Sequence, residues 1–335
     1  MTARTNKFQF AHLHVHTEYS VLDGLNKIQP LVERVKALGM STCAITDHGT
    51  LSGVIEFYKA MKKADLKPII GMEAYITRDK DDLENTQKTR DNRHLVLLVM
   101  NSIGLKNLIW LNNRAYLHNF YYNPRIWVEH LKDHSDGLIA TSACLAGVVA
   151  KRAIVKETGV EQQGGVWDPD TQSFDDPYHT GRDYIKELRE YFPDRFYLEV
   201  QDHPNWEQKA YNRWIKQQAT LLELPMVITT DAHYPRAEDK EVHDLLMAQQ
   251  FKMTLEEYQK KEQFELSNFI REPEDMYKTA ADMGIEEAFW NTRDITEQCE
   301  LDITLGKYQT PEFDITKCDD YKDFLKWQEK MSLTQ

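Results

Sequence analysis

His14 and His16 close an apolar run near the amino terminus, two residues apart, and Asp231 and His233 repeat that spacing far along the chain. Side chains on an extended strand alternate between faces, so each pair points one way and can address one ion. Three further strand-like runs end in coordinating groups: Thr46-Asp47-His48-Gly49, Gly71-Met72-Glu73 and Thr141-Ser142-Ala143-Cys144. Imidazole, carboxylate and thiolate are the donors that transition metals take. Taken singly, each has an ordinary structural reading: Cys144 as a small buried apolar residue, Glu73 as a paired buried carboxylate, a His-x-His as a chance surface or core pair. Recurrence at the ends of separate strands is what points to bound metal. His94 opens its run instead of closing it, so the strand-end argument does not select it. In Leu198-Glu199-Val200-Gln201-Asp202-His203, parity leaves open which side chains face inward. His118, His130, His134, His179 and His243 fall outside the pattern and receive no role.

Such residues need a scaffold that gathers strand ends. Seven short runs read as strands, at 8–15, 42–46, 68–72, 94–99, 138–141, 196–200 and 226–230. Helical faces lie between them: Leu31, Val32, Val35 and Leu38, closed by Gly39, then Val54, Phe57, Tyr58 and Met61. Repeated β-then-α order predicts parallel strands joined by right-handed crossovers. Seven or eight such units favour a closed barrel, whose chemistry sits at the carboxyl ends of its strands, with an open doubly wound sheet as the alternative. The polar stretch 79–92 reads as a loop, and 159–180, with Gly164-Gly165, Asp168-Pro169 and Asp176-Pro177, as a surface insertion. After Tyr234 the pattern becomes polar and helical (238–250, 274–283, 285–300). This gives a barrel over 1–235, a helical extension over 236–316 and a tail over 317–335.

The chain has 335 residues, 41 Lys and Arg against 54 Asp and Glu, and a formal charge of −13. A free-standing electrostatic DNA binder would be basic, so bulk charge does not hold phosphate here. The hydrophobic fraction of 41% supports a sizeable core. No apolar run reaches the roughly 18–20 residues of a membrane span, and the start lacks a signal-peptide core. Cys43, Cys144, Cys299 and Cys318 are scattered without a Cys-x-x-Cys pair, which suits a reducing cytoplasm.

His14-Val15-His16-Thr17, Thr46-Asp47-His48-Gly49, Gly71-Met72-Glu73 and Asp231-Ala232-His233 together resemble the polymerase and histidinol phosphatase (PHP) domain. Longer phrases are similar to one branch, the PHP domain at the amino terminus of bacterial replicative DNA polymerase III alpha subunits. They run from His12 to Gly24, Glu56 to Tyr58, Pro68 to Tyr75, Tyr197 to His203, His243 to Gln249 and Leu301 to Gly306. The resemblance implies an α/β fold, a distorted seven-stranded (β/α)7 barrel, with a mostly helical extension leading toward a polymerase palm domain. It also implies nine metal ligands, which fall on His14, His16, Asp23, His48, Glu73, His94, Cys144, Asp231 and His233. Asp23 and His94 enter only by this route. The sequence departs from the family in its 159–180 insertion and in Ala146-Gly147-Val148, where relatives carry an acidic residue after the glycine.

A set this rich in nitrogen and sulfur suits two to three divalent metal ions, Zn2+ first and Mn2+ or Fe2+ next, over magnesium. Three such ions outweigh four anionic ligands, so an acidic chain can still hold phosphate. The activity implied is metal-dependent phosphodiester hydrolysis, resembling 3′→5′ exonuclease proofreading in DNA replication. Its partners would be DNA, as a primer 3′ end or a single strand, and the polymerase core with other replisome subunits, without a membrane. Asp47 is expected to orient a ligand histidine and His203 to protonate the leaving group. Two other readings stay open: a catalytically silent metal-stabilised scaffold of the polymerase, and a small-molecule phosphatase of the histidinol-phosphate type. No segment matches a magnesium-binding palm, so an excised portion or a naturally short version is expected, without polymerisation of its own.

Overall fold

The computed structural model describes residues 9–78, 93–150, 181–261, 267–307 and 325–326. The 79–92 loop and the 159–180 insertion lie outside those residues, as do Phe8, Cys318 and most of the expected tail. Among the described residues eight strands form, most of them where β-branched and aliphatic residues concentrate: β1 (Thr42–Ile45), β2 (Lys67–Thr77), β3 (Arg93–Val99), β4 (Phe120–Tyr121), β5 (Asn123–Trp127), β6 (Leu138–Thr141), β7 (Phe196–Gln201) and β8 (Met226–Thr229). The helices among these residues are α1 (Ile28–Ala37), α2 (Val54–Lys63), α3 (Ser102–His118), α4 (Val128–His134), α5 (Gly181–Tyr191), α6 (Trp206–Leu222), α7 (Lys240–Phe251), α8 (Leu255–Lys261), α9 (Pro273–Asp282) and α10 (Glu286–Gln298).

The result is a mixed α/β fold around one curled sheet. β2 is its organiser. Its first half pairs in parallel with β1 and its last residues pair in parallel with β5, while Gly71 to Ile76 run antiparallel to β3 along the other edge. β6, β7 and β8 follow beyond β3. The residues around His12 to His16 lie extended between β8 and β1. Ala232 N donates to His14 O (3.0 Å) on one side, and Ala44 N to His12 O (2.9 Å) on the other. This segment makes single bridging contacts in place of a regular ladder. One reason is a side chain in the backbone's place: Val15 N donates to Thr46 Oγ1 at 2.8 Å.

Uniformly parallel pairing is corrected by β3, which runs antiparallel to both β2 and β6. The sequence between β2 and β3 is polar and shows no apolar helical face of the kind that a parallel crossover packs on a sheet, in keeping with the antiparallel pairing of the two strands. The β4–β5 hairpin at the sheet edge has no counterpart among the expected strands, because residues 120–125 carry no period-two apolar pattern.

α1 buries Leu31, Val32 and Val35, and α2 buries Val54, Phe57, Tyr58 and Met61, as their spacing predicts. Gly39 ends the first helix with φ +73°, a left-handed conformation that costs glycine nothing. α10 joins the same core. Its Ile295 pack with Cys299, Ala11, Leu13, Ala44 and Val227, and Phe10 stacks on Phe289 at 5.1 Å. One compact unit therefore extends to Leu301, and residues from Asp302 onward form a separate unit. Among the described residues, no helix is long and apolar enough to cross a membrane.

Candidate metal centre

Because β3 runs against its neighbours, its first residues lie at the end of the sheet where the parallel strands finish. His94 thereby meets Glu73 of β2, with Nδ1 2.9 Å from Oε1. The turn after β6 brings in Cys144, whose Sγ is 3.7 Å from His94 Nδ1 and 3.8 Å from Glu73 Oε1. Across the cluster, His14 Nε2 lies 3.1 Å from Glu73 Oε1 and 3.2 Å from Asp231 Oδ1. His16 Nε2 is 3.1 Å from the same Asp231 oxygen. His48 places Nδ1 2.5 Å from Glu73 Oε2 and Nε2 3.1 Å from Asp23 Oδ2. The His16 ring sits 4.0 Å from His48 and 4.3 Å from His233, centroid to centroid. All nine residues expected as ligands are thus brought together, with Glu73 at the hub. Two non-glycine residues turn left-handed at the rim, Ala143 (φ 59°) and Asp231 (φ 50°). Such turns cost about 1–3 kcal/mol each and persist where surrounding structure enforces them.

Five of the innermost atoms carry the diagnosis. Nε2 of His14, Nε2 of His16, Nδ1 of His48, Oε2 of Glu73 and Oδ1 of Asp231 are buried and meet no partner in hydrogen-bonding geometry, although they crowd one another. Buried polar atoms are otherwise almost always satisfied, so lone pairs directed at a shared centre fit a cation. Three overlapping groups have donor atoms within 4.8 Å of one another: His14, His16 and Asp231; His16, His48 and His233; His48, Glu73 and His94.

Charge in the cluster is strongly coupled. Burial alone would depress the His14 imidazole, but Asp231, Glu199 and Glu73 together outweigh it and hold it well above its ordinary value. His48 is raised likewise, against burial, by Glu73 and Asp23. Burial would raise Glu73, yet His94, His14 and His48 hold it well below the usual carboxylate range. Asp23 falls to about 2 because its bond to His48 overcomes burial. Asp231 is lowered too, against burial, chiefly by His14 and His233. His16 drops to about 3 through burial and the neighbouring His48 and His233. Burial, Glu73 and Asp231 push the Cys144 thiol well up. Protons on His14 and His48 thus balance carboxylates that a cation would balance instead.

Around this core lies a layer that the sequence signalled only in part. Glu199 of β7 faces inward, which settles the parity of that strand. It accepts from His14 Nδ1 (2.7 Å), Thr229 Oγ1 (2.5 Å), Gln201 Nε2 (2.9 Å) and Thr141 Oγ1. A carboxylate on Nδ1 leaves Nε2 of His14 as the donor toward the centre. Asp47 does not touch a ligand histidine. It accepts from Thr17 N (2.6 Å), Thr17 Oγ1 (2.7 Å) and Ser20 Oγ (2.7 Å), and Ser20 Oγ lies 3.1 Å from His16 Nδ1. Its orientation of His16 is therefore relayed through Ser20, which lies in the His12–Gly24 phrase without a role assigned to it.

His12 shares a face with His14 but faces Arg271 O (3.0 Å) and Thr230 Oγ1 (3.2 Å) and belongs to the core. His203 is buried, with its Nδ1 lacking a hydrogen-bond partner and its pKa lowered by burial. His243 of α7, given no role from sequence, stands 5.8 Å from the His233 ring at the rim.

The family model for the PHP domain matches residues 12–203. The chain is 38% identical over 296 residues to a DNA polymerase III subunit alpha of Helicobacter pylori, covering 88% of this chain and 23% of that relative. A DNA polymerase III subunit alpha of Aquifex aeolicus is 34% identical over 331 residues, covering 95% and 27%. The chain thus spans about a quarter of the length of these relatives, and the match is to their amino-terminal region. Among solved structures, a two-domain protein of Bacteroides vulgatus containing a predicted PHP-like metal-dependent phosphoesterase aligns with 12% identity and a TM-score of 0.34, covering 70% of this chain and 57% of that one.

Proposed function

The chain belongs to the PHP-domain family, and on that premise we propose that it hydrolyses phosphodiesters with bound divalent cations, releasing nucleotides from the 3′ end of DNA. The observation that carries this reading is the set of buried donor atoms, on residues from distant parts of the chain, that converge without hydrogen-bond partners. Cations held there would neutralise phosphate charge and make a water more acidic at neutral pH, with Zn2+ best suited to the donors and Mn2+ or Fe2+ next.

The chain's own residues do the rest. Glu73, His14 and Asp231 form the buried centre of the cluster. Glu199 and the Asp47–Ser20 relay hold His14 and His16 with Nε2 inward. His203, kept neutral through burial, would present its ring N–H to the leaving oxygen, while the proton of the attacking water would leave to solvent. In a polymerase, this chemistry would remove a mispaired 3′ nucleotide, with DNA and the polymerase core as partners.

Release of mononucleotides from a 3′-labelled single strand, with Zn2+ or Mn2+ added, tests the proposal. The unmodified chain is expected to release them and Asp23→Asn to lose the activity. Equal release by both proteins contradicts it. Tight cation binding without hydrolysis of any phosphoester would support the scaffold reading instead.

A further inference from the structure

One wall of the metal centre is made of aromatic rings. Tyr75 of β2 sets its ring edge-on to His94 at 5.3 Å and lies 6.1 Å from the His48 ring. Gly49, next to His48, is wedged between Tyr75 and Pro124 of β5; an added Cβ would meet their rings at 3.0 and 2.8 Å. The Gly49 carbonyl also accepts from Asn112 of α3 at 2.9 Å. The hairpin and α3 are therefore built directly onto the centre's wall.

Outward from Tyr75 the aromatic character continues onto the surface. Tyr116, one turn beyond Asn112 on α3, stacks with Phe120 at 5.9 Å. Tyr122 forms the tight turn between β4 and β5. The three rings are 45%, 52% and 70% exposed. Tyr122 holds φ 57°, where glycine or asparagine would turn the chain at lower cost. An exposed aromatic side chain retained at such a position is better explained by what it binds than by the fold it completes. The charge of this region is also unlike the rest. In a chain of net charge −13, no acidic residue occurs between Asp91 and Glu129, while Lys106 and Arg114 stand on α3.

We propose that Tyr116, Phe120 and Tyr122 form a stacking track that carries single-stranded nucleic acid to the metal centre past Tyr75. The track rests on the phosphodiester reading of that centre. Every base offers a face to an aromatic ring, so such a surface holds a strand without reading its sequence, and the missing acidic residues spare its phosphates from repulsion. Exposed aliphatic residues would give a protein contact no less area, but they would not stack bases.

The test is fluorescence anisotropy with a labelled oligothymidylate carrying phosphorothioate linkages at its 3′ end, titrated with the whole chain and Mn2+. Replacing all three rings (Tyr116→Ala, Phe120→Ala, Tyr122→Ala) is expected to weaken binding by about tenfold or more. Tyr116→Phe with Tyr122→Phe should retain it. Hydrolysis of bis(p-nitrophenyl) phosphate, too small to reach the track, should be unchanged in the triple variant. No binding by the unmodified chain, or equal binding by the triple variant, overturns the track. Ring-dependent binding by a chain that cleaves no phosphodiester would support the track and overturn the phosphodiester reading alone.

Discussion

His12 and His14 stand two residues apart on one extended segment, on one face, and both are buried. Their surroundings could hardly differ more. His12 meets a backbone carbonyl and a hydroxyl, and burial, with Arg271 nearby, takes its pKa down to about 4. His14 meets three carboxylates and is held well above its ordinary value. The lower end of the segment is a satisfied core; the upper end is a site with donor atoms left over. What separates a ligand from a core histidine is the chemistry opposite it, which neither residue type nor spacing specifies.

The comparison can be broken most forcefully at Glu73. Glu73→Gln should lower phosphodiester hydrolysis by about a thousandfold or more in steady-state assays with added cation, since several kcal/mol of charge stabilisation depend on the cluster. His12→Asn, by contrast, should leave cation stoichiometry unchanged.

In protein stripped of cations, His12 should respond to pH with a sign opposite to that of His14 and His48, while His16, lowered to about 3, adds to the acid limb of His12. His12 has a folded pKa of about 4 against 6.5 unfolded, so the unfolded chain takes the proton first. Its contribution to stability is complete above 6.5 and declines as pH falls toward 4, by on the order of 3 kcal/mol. His14 and His48 have raised values, so their contribution is complete below about 6.5 and is lost as pH rises through those raised values. Urea titrations across this range would show both limbs, and saturating Zn2+ should remove the alkaline one. An alkaline decline that persists with Zn2+ would mean that no cation replaces those protons.

Smaller effects sharpen the picture. Glu199→Gln should weaken cation affinity by about 10–100-fold by calorimetry, because it loosens the tautomer of His14 without removing a ligand. Ser20→Ala should cost about 1 kcal/mol of stability by interrupting the relay from Asp47 to His16.

Much of this arrangement was legible in the chain. The pair at His14 and His16 follows from the parity of an extended segment, and β1, α1 and α2 follow from their apolar periodicity; Asp231 and His233 reach the same place by a left-handed turn just past β8, where parity does not apply. His94 was hidden because strand direction is a tertiary property; only the reversal of β3 turns a strand's start into a site position. Glu199 was hidden because alternation in Phe196–Gln201 puts Glu199 and Gln201 on one face, but with both faces buried it does not say which of them meets the site. Ser20 and Thr17 stand inside the matched phrases, yet their role as relays was hidden for a third reason. Hydroxyls that relay a hydrogen bond look, in sequence, like any other loop residues.

Anomalous scattering at the zinc and manganese edges, from crystals grown with each cation, would test the centre most directly. Two or three peaks are expected, about 2.0–2.3 Å from donor atoms of His14, His16 and Asp231 and of His48, Glu73 and His94. Crystals without a peak among those side chains at either edge would contradict a metal centre here, and with it the proposed hydrolysis.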